Sequence, residues 1–528
     1  MPRAPLRALA SPFLDFLRCA RLAASLFFDQ IPFNFHALFN DFPNHKRLGD
    51  DRRYRPASSP LIDIETIQKM KSTHSTRQKT SRFAWSSVAI ALALGALTGC
   101  QTYKRKPVDL SAHVGDWEDR GPAHEKVQTF AKRLGEASPQ SKTFNPKDGL
   151  SLSEGETVAL VYNPDLRIAR LRADVAKATA EYAGLWDDPQ LSIDVLNITS
   201  NVPDPWVVGS ALAFTIPISG RLQVEKARAE AAMHAELERV AESEWTIVRD
   251  LRENWLSWSA ERYRFEQTEA VLTELDSIIE STNRLAEGGE MPRTEAALFV
   301  IERESRRTEL ARLKGEVAEG EQQLRALLGL SPKAPLNLVP ALSAVRDSSA
   351  KEEPSESNLT LARLLSEYEV AEQTLLREIK KQYPDLTFGA QGESDEGQSR
   401  IGFVGAIPIP ILNSNKGGIA EARAERELAR AAYETGYERV AGRIAALQAR
   451  LQGIRSRRKS IDETLVPLVD RQIADARQLL ELGEGGSLVL LESLLRAHEA
   501  KMTLIDTQLD DAKTNSEIRY LLGLETRD

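Results

Sequence analysis

The sequence predicts a mainly α-helical chain of two repeats, in which long coiled-coil hairpins are joined to four short β-strands. Three such chains together form a small 12-strand membrane β-barrel that continues into a helical tunnel. Three observations predict this. One plan recurs at spacings of 193–195 residues. Apolar positions follow a 3-4 spacing over stretches far longer than a globular helix. Two short period-2 segments interrupt the helical pattern in each repeat.

The repeat rests on landmarks in one order. Leu327-Leu328-Gly329-Leu330 recurs as Leu521-Leu522-Gly523-Leu524, and Ile216-Pro217-Ile218 as Ile409-Pro410-Ile411. Asp188-Pro189-Gln190-Leu191-Ser192 recurs as Tyr383-Pro384-Asp385-Leu386-Thr387, and Gly289-Glu290 as Gly483-Glu484. The repeats span 150–330 and 358–528. Residues 331–357, rich in Pro, Ser and charge, read as a linker.

Each repeat reads helix, strand, turn, strand, long helix, turn, helix. The first helix follows the cap-like Ser151-Leu152-Ser153-Glu154 and ends before Pro189. One long helix carries the stripe Val440, Ile444, Leu447, Leu451, Ile454, Ile461, Leu465 and Leu468, with Arg458 as its polar member. Val248, Leu251, Trp255, Trp258 and Phe265 form its counterpart, and Leu491, Leu495, Met502, Ile505 and Leu509 continue the pattern on a return helix. Such a period means packing against neighbouring helices. At 1.5 Å per residue, 221–284 spans ~96 Å and 418–482 about the same. The shorter segments 291–330 and 357–382 together reach ~99 Å, and 487–523 with 151–187 ~110 Å. Two short helices end to end therefore match each long one, as in a cylinder wall.

The strands fix the oligomer. Leu191, Ile193 and Val195 alternate with Ser192 and Asp194. Val208, Leu212, Phe214 and Ile216 form a second strand face beyond a turn at Asn201–Pro205. Leu386 and Phe388 repeat the first strand. Ile401, Phe403, Ile407 and Ile409 repeat the second, after a polar turn from Ser394 to Gln398. Four strands with open edges would leave unpaired N–H and C=O groups in lipid, so other copies must close the sheet. Leu191, Ile193, Val195, Leu212, Phe214, Ile216, Leu386, Phe388, Ile401 and Phe403 are expected on the lipid face. Ser192, Asp194, Thr215 and Gln391 are expected on the lumen face.

The net charge of −8, without a basic stripe among aromatics, argues against nucleic acid as a partner. Many charges and few aromatics fit long solvated helices better than a compact enzyme core. Two cysteines, Cys19 and Cys100, cannot make a disulfide framework. Lys71, Arg77, Lys79 and Arg82 precede an apolar run from Phe83 to Leu97, too short to span a bilayer comfortably. Leu97-Thr98-Gly99-Cys100 then resembles the bacterial lipobox. Residues 70–99 read as a lipoprotein signal, Cys100 as the lipidated first residue of the mature chain, and 100–149 as a lipid-anchored linker. Gln101 in second position suggests passage to the outer membrane. Residues 1–69 lack a sustained period and read as a non-native or disordered extension, with Met70 as the start.

Several segments resemble the TolC-type outer-membrane efflux factor family. They are Leu152–Leu160 with Asn163-Pro164-Asp165-Leu166, Pro189–Ser192, and Ile407–Asn413 followed by Asn415–Ala424. The resemblance covers about 150–528, and the last segment is most like the heavy-metal branch. It implies a homotrimer in the outer membrane that extends into the periplasm. It further implies a passive conduit for metal ions or drugs, a periplasmic adaptor and an inner-membrane pump of the RND type. The hairpin tips, Gly289 and Glu290 in one repeat and Gly483, Glu484 and Ser487 in the other, are then the adaptor contacts. Glycine also suits a helix C-terminus, and Ser487 an N-cap. Glu295 and Glu492 match the family's acidic constriction, and symmetry would make each a ring of three carboxylates. A solvated helix face, with Glu492 paired to Arg496 at i+4, explains the latter equally.

No phosphate loop, His-Glu-x-x-His, Gly-x-Ser-x-Gly or paired-Cys site occurs, so neither an enzyme nor a cofactor is expected. His498 lies in the apolar stripe of the last helix, where a packing role outweighs a metal role. Two rivals remain. A periplasmic adaptor should have one hairpin between all-β flanks, and a structural coiled-coil envelope lipoprotein should lack the paired strands. The cargo is not legible in the sequence.

Overall fold

The computed structural model describes residues 103–137, 144–200, 202, 205–342, 357–395, 398–481 and 486–523. The extension at 1–69, the signal at 70–99 and Cys100 lie outside the described residues. Both repeats lie in one compact unit that contains Gly115–Asp528.

Helices α1 (Leu110–Glu118) and α2 (Glu125–Ala137) precede repeat 1. Repeat 1 runs α3 (Leu152–Tyr162), α4 (Pro164–Glu181), β1 (Gln190–Asn197), β2 (Trp206–Ile216), α5 (Arg221–Glu287) and α6 (Arg293–Leu327). Repeat 2 runs α7 (Leu359–Lys380), β3 (Leu386–Asp395), β4 (Gln398–Ala406), α8 (Lys416–Ser460), a π turn (Ile461–Leu465), α9 (Val466–Glu481) and α10 (Ser487–Leu522).

The first helix of repeat 1 is two helices, not one. Pro164 has no N–H to donate, and Asn163 caps the second helix by accepting from the N–H groups of Asp165 and Leu166. At the start of α3, Glu154 accepts from the backbone N–H of Ser151 at 2.9 Å and from its hydroxyl at 2.6 Å. Glu156, buried in α3, pairs with the equally buried Arg252 of α5.

The 67-residue α5 spans ~100 Å and touches α4 and α6, and also α7 and α10. Helix α8 packs on α7 and α10, and α9 on α10. Across the wall the order is therefore α4 with α6, then α5, then α7 with α10, then α8 continued by α9. Short helices do stack end to end, but the pairing differs from the sequence expectation. Helix α6 stacks on α4, and α10 on α7, each within its own repeat. The Asn163 side chain donates to the Leu327 carbonyl at 2.9 Å, and Asn358 donates to the Leu521 carbonyl at 2.7 Å. The Leu-Leu-Gly-Leu repeat supplies the other half of each joint. Gly329 and Gly523 adopt φ +68° and +67°, and a Cβ there would lie 2.1 Å from the Tyr162 carbonyl oxygen and 2.4 Å from that of Ser357.

The expected stripe holds from Val440 to Ile461, all buried at its apolar positions. Beyond that, Leu465 and Leu468 are exposed. The π turn inserts an extra residue and rotates the following face away. Its cause is Pro467, which cannot donate to an i−4 carbonyl; the Val466 N–H reaches back to Ile461 instead.

The linker reading also needs correction. Residues 331–342 are strapped to the wall: Leu150 pairs with the 337–339 segment, and Ala334 and Leu342 are buried. Apolar residues among the prolines secure that strap. Helix α2, which no motif announced, buries Val127 and Phe130 in the same core as Trp255 and Leu324.

Candidate functional site

The strands form one antiparallel sheet in the order β1-β2-β3-β4, leaving β1 and β4 as its edges. Partners directly opposite share a face. Leu191 lies opposite Leu212, Leu212 opposite Ala390 and Ala390 opposite Phe403; Phe214 lies opposite Phe388 and Ile216 opposite Leu386. The ten residues expected together on an apolar face therefore do share one, and Phe388 stacks on Phe403 at 5.8 Å. The opposite face carries Ser192, Asp194, Thr215 and Gln391.

Burial runs opposite to that of a soluble sheet. On β2, Val208 of the apolar face is 47% exposed, whereas Val207 of the other face is 9% exposed. On β2 the apolar face is thus the more open one and the other face the more shielded; on β1 both faces are exposed. Strand β4 ends at Ala406, so Ile407 and Ile409 are not strand residues as expected. The prolines at 408 and 410 cannot continue a ladder. The turn expected from Ser394 to Gln398 is shorter, because β3 runs to Asp395 and β4 begins at Gln398.

Two polar nodes tie the sheet to the helices. Arg221, the first residue of α5, reaches Asp385 and Asp187, each at 3.0 Å, on the segments leading into β3 and β1. At the exit from β4, Ser414 and Asn415 adopt positive φ, 49° and 50°. The Asn415 amide donates to both the backbone and the carboxylate of Glu378 on α7, at 2.9 Å each. Burial alone would raise the Glu378 pKa. Hydrogen bonds from Lys381, Asn415 and Arg377 outweigh it and hold this carboxyl at about 2.

At the other end, α5 closes with Gly289 at φ +79°, and the Glu290 N–H returns to the Leu285 carbonyl. Gly483 and Glu484 lie outside the described residues. Ser487 is not the N-cap expected of it: Gly486, at φ +94°, holds that position, and Ser487 is the first helical residue. Its buried hydroxyl instead donates to the Glu295 carboxylate at 2.5 Å. Glu295 is therefore a bridge between hairpins. Glu492 is exposed on α10 and pairs with Arg496 at 2.9 Å, which also reaches Glu499 at 3.1 Å. One apolar cluster joins the two hairpins behind the tips: Leu275, Ile278 and Ile279 of α5, Phe299 of α6, Ala476 of α9, and Leu490 and Leu494 of α10.

His498 of α10 is buried and lies 3.5 Å from Glu309 of α6; burial and then Arg306 disfavour its protonation, and Glu309 opposes them less strongly. Among the described residues, no group of three or more His, Cys, Asp or Glu is placed to hold a metal ion. No described helix is long and apolar enough to cross a membrane.

A wall of ~100 Å helices carrying a small sheet with an exposed apolar face is an architecture shared with solved outer-membrane channels. Residues 157–330 match the family described as outer membrane efflux protein. The fold of the chain is that of solved TolC-type channels. VceC from Vibrio cholerae matches with a TM-score of 0.61 and 16% identity over 71% of this chain and 96% of that one. CusC matches with a TM-score of 0.61 and 16% identity over 81% and 100%. The outer-membrane channel OprN matches with a TM-score of 0.63 and 14% identity over 81% and 100%. No curated protein matches significantly by sequence. The chain thus shares the fold of these channels over most of its length, and within its first repeat it is similar in sequence to the outer membrane efflux protein family.

Proposed function

We propose that the protein is the outer-membrane channel of a tripartite efflux system, a passive homotrimeric conduit for metal ions or drugs. An inner-membrane RND-type pump delivers the cargo through a periplasmic adaptor that clasps the hairpin tips at Gly289, Glu290, Gly483, Glu484 and Ser487. Lipid on Cys100 adds an anchor in the outer membrane, with the helices reaching into the periplasm. The observation that carries this reading is the four-strand sheet, with its apolar face exposed and both edges unpaired. Lipid satisfies the face, and two further copies satisfy the edges. Two hairpins flanking one sheet fit neither an adaptor nor a plain coiled coil. The metal-efflux branch is the narrower expectation, supported by the likeness of Asn415–Ala424.

Outer membranes extracted in mild detergent test this. Unheated samples should migrate as a trimer, collapse to the monomer on boiling, and yield steady single channels in planar bilayers. A monomer without channel activity overturns the reading. Mass spectrometry should find a triacylated peptide beginning at Cys100, and a mature N-terminus upstream of Cys100 removes the anchor.

A further inference from the structure

The pairing registers set Asp194, Gly209, Glu393 and Arg400 in one row across the sheet. Asp194 lies opposite Gly209, Gly209 opposite Glu393, and Glu393 opposite Arg400. The row is on the face opposite the apolar one, with Asp194 and Arg400 exposed. Between this row and the helix end of the sheet, Ala211, Ala213, Gly389, Gly402 and Ala406 on the same face are small. Gly209 matters within the row, because a Cβ there would touch the Asp194 side chain at 3.6 Å. The glycine leaves the space between the two acids open.

The position along the barrel is equally defined. Glu393 is two residues before the end of β3, and Arg400 two after the start of β4. The helices join the strands at the opposite ends. The row therefore lies near the mouth farthest from the helices and from the hairpin tips.

We infer that this row is a second charge-selective element, at the distal mouth of the barrel, which favours cations and disfavours anions independently of the tips. The inference rests on the trimeric barrel proposed above. Three copies would bring six carboxylates and three guanidiniums to one level of the lumen, an acidic surplus. Twelve strands about 4.8 Å apart and tilted by about 40° set the backbone roughly 12 Å from the axis. The Debye length is about 10 Å at 0.1 M salt and about 30 Å at 0.01 M. The row's field is thus largely screened at the axis in concentrated salt and crosses the whole lumen in dilute salt. Selectivity from this element must grow as salt is lowered.

The test uses purified full-length protein in planar bilayers, reading the reversal potential in KCl gradients centred near 0.01 M and near 1 M. Each variant is measured with and without Glu492→Ala, so that a contribution from the tips is separated. The double variant Asp194→Asn with Glu393→Gln should lower the potassium-to-chloride permeability ratio about threefold in dilute salt and change it little in 1 M salt. Arg400→Gln should raise the ratio. Trimers that conduct with an unchanged ratio in both variants overturn the inference while leaving the channel reading intact. If the double variant fails to assemble, Arg400→Gln alone decides, and an unchanged ratio again overturns it. Absence of trimers in the unsubstituted protein overturns the barrel itself, and this inference with it.

Discussion

The hydroxyl of Ser487 donates a 2.5 Å hydrogen bond to the carboxylate of Glu295, joining two hairpins across 192 residues of sequence. Ser487 is buried and stands at the N-terminus of α10, where the helix dipole favours a negative charge. Glu295 thereby places a carboxylate from the first hairpin at the N-terminus of a helix of the second. This bond and the shared apolar cluster behind it hold the tips together within one protomer.

Ser487→Ala should therefore loosen the tips without unfolding the wall. We expect a loss of about 1 kcal/mol, confined locally. Hydrogen exchange should speed up around 288–296 and 486–490 and stay unchanged at Leu251 and Leu447. A global loss of protection would show that the bond supports the whole fold instead.

Glu492 is the better placed of the two acidic candidates for the constriction, because it is exposed and bonded only along its own helix. Glu492→Ala should raise single-channel conductance and weaken block by divalent cations. Glu499→Ala, about two turns farther from the tip and bonded to the same Arg496, should do much less. Equal small effects from both would mean a solvated helix face and no constriction at Glu492.

The joints between stacked helices should be sensitive to a single added methyl group. Gly329→Ala places a Cβ against the Tyr162 carbonyl at a positive φ, and Gly523→Ala does so against Ser357. Each should cost about 2–4 kcal/mol. Thermal melts of the single and double variants should show nearly additive losses, because the joints lie in different repeats.

Glu378 sets a pH dependence. Its folded pKa of about 2 lies below the ordinary 4.5, so its contribution is complete above about 4.5 and is lost as the pH falls towards 2. Glu378→Gln should destabilise the protein by roughly 1–3 kcal/mol at pH 7 and make little difference near pH 2. Melting curves at several pH values check the closing gap. A constant gap would assign the effect to lost packing around Asn415.

Phe214→Arg tests the face assignment. A charge on the lipid side near the midplane should cost roughly 2–4 kcal/mol and reduce the trimer on unheated gels. Normal assembly of this variant would mean that the apolar face is covered by something other than lipid.

The two-repeat plan was legible because its landmarks recur in one order at a constant spacing, and the common face of ten strand residues because it depends on a two-residue period. The end-to-end pairing of helices was not. Lengths alone fit two arrangements, and the choice depended on Asn163 and Asn358 reaching carbonyls more than 160 residues away. The outward turn of Leu465 and Leu468 was missed although its signal was present: Pro467 lies inside the stripe, and a proline in a helix interior breaks the period. At the tips, glycine chemistry was readable, but the Ser487–Glu295 bond was not. Nothing local distinguishes a capping serine from one that bonds across to another hairpin.

The stacking of α6 on α4 and of α10 on α7 means that each half of the chain closes on itself. Its last helix returns to the start of its own first helix, so neither pillar needs a segment lent by the other half. A half is therefore a topologically finished building block. In the trimer proposed above, three chains of two halves each would supply six sectors around the axis. Divergence between the sectors is what a chain of two halves makes possible. One could keep an uninterrupted 67-residue helix while the other acquired a proline and a π turn in the matching place.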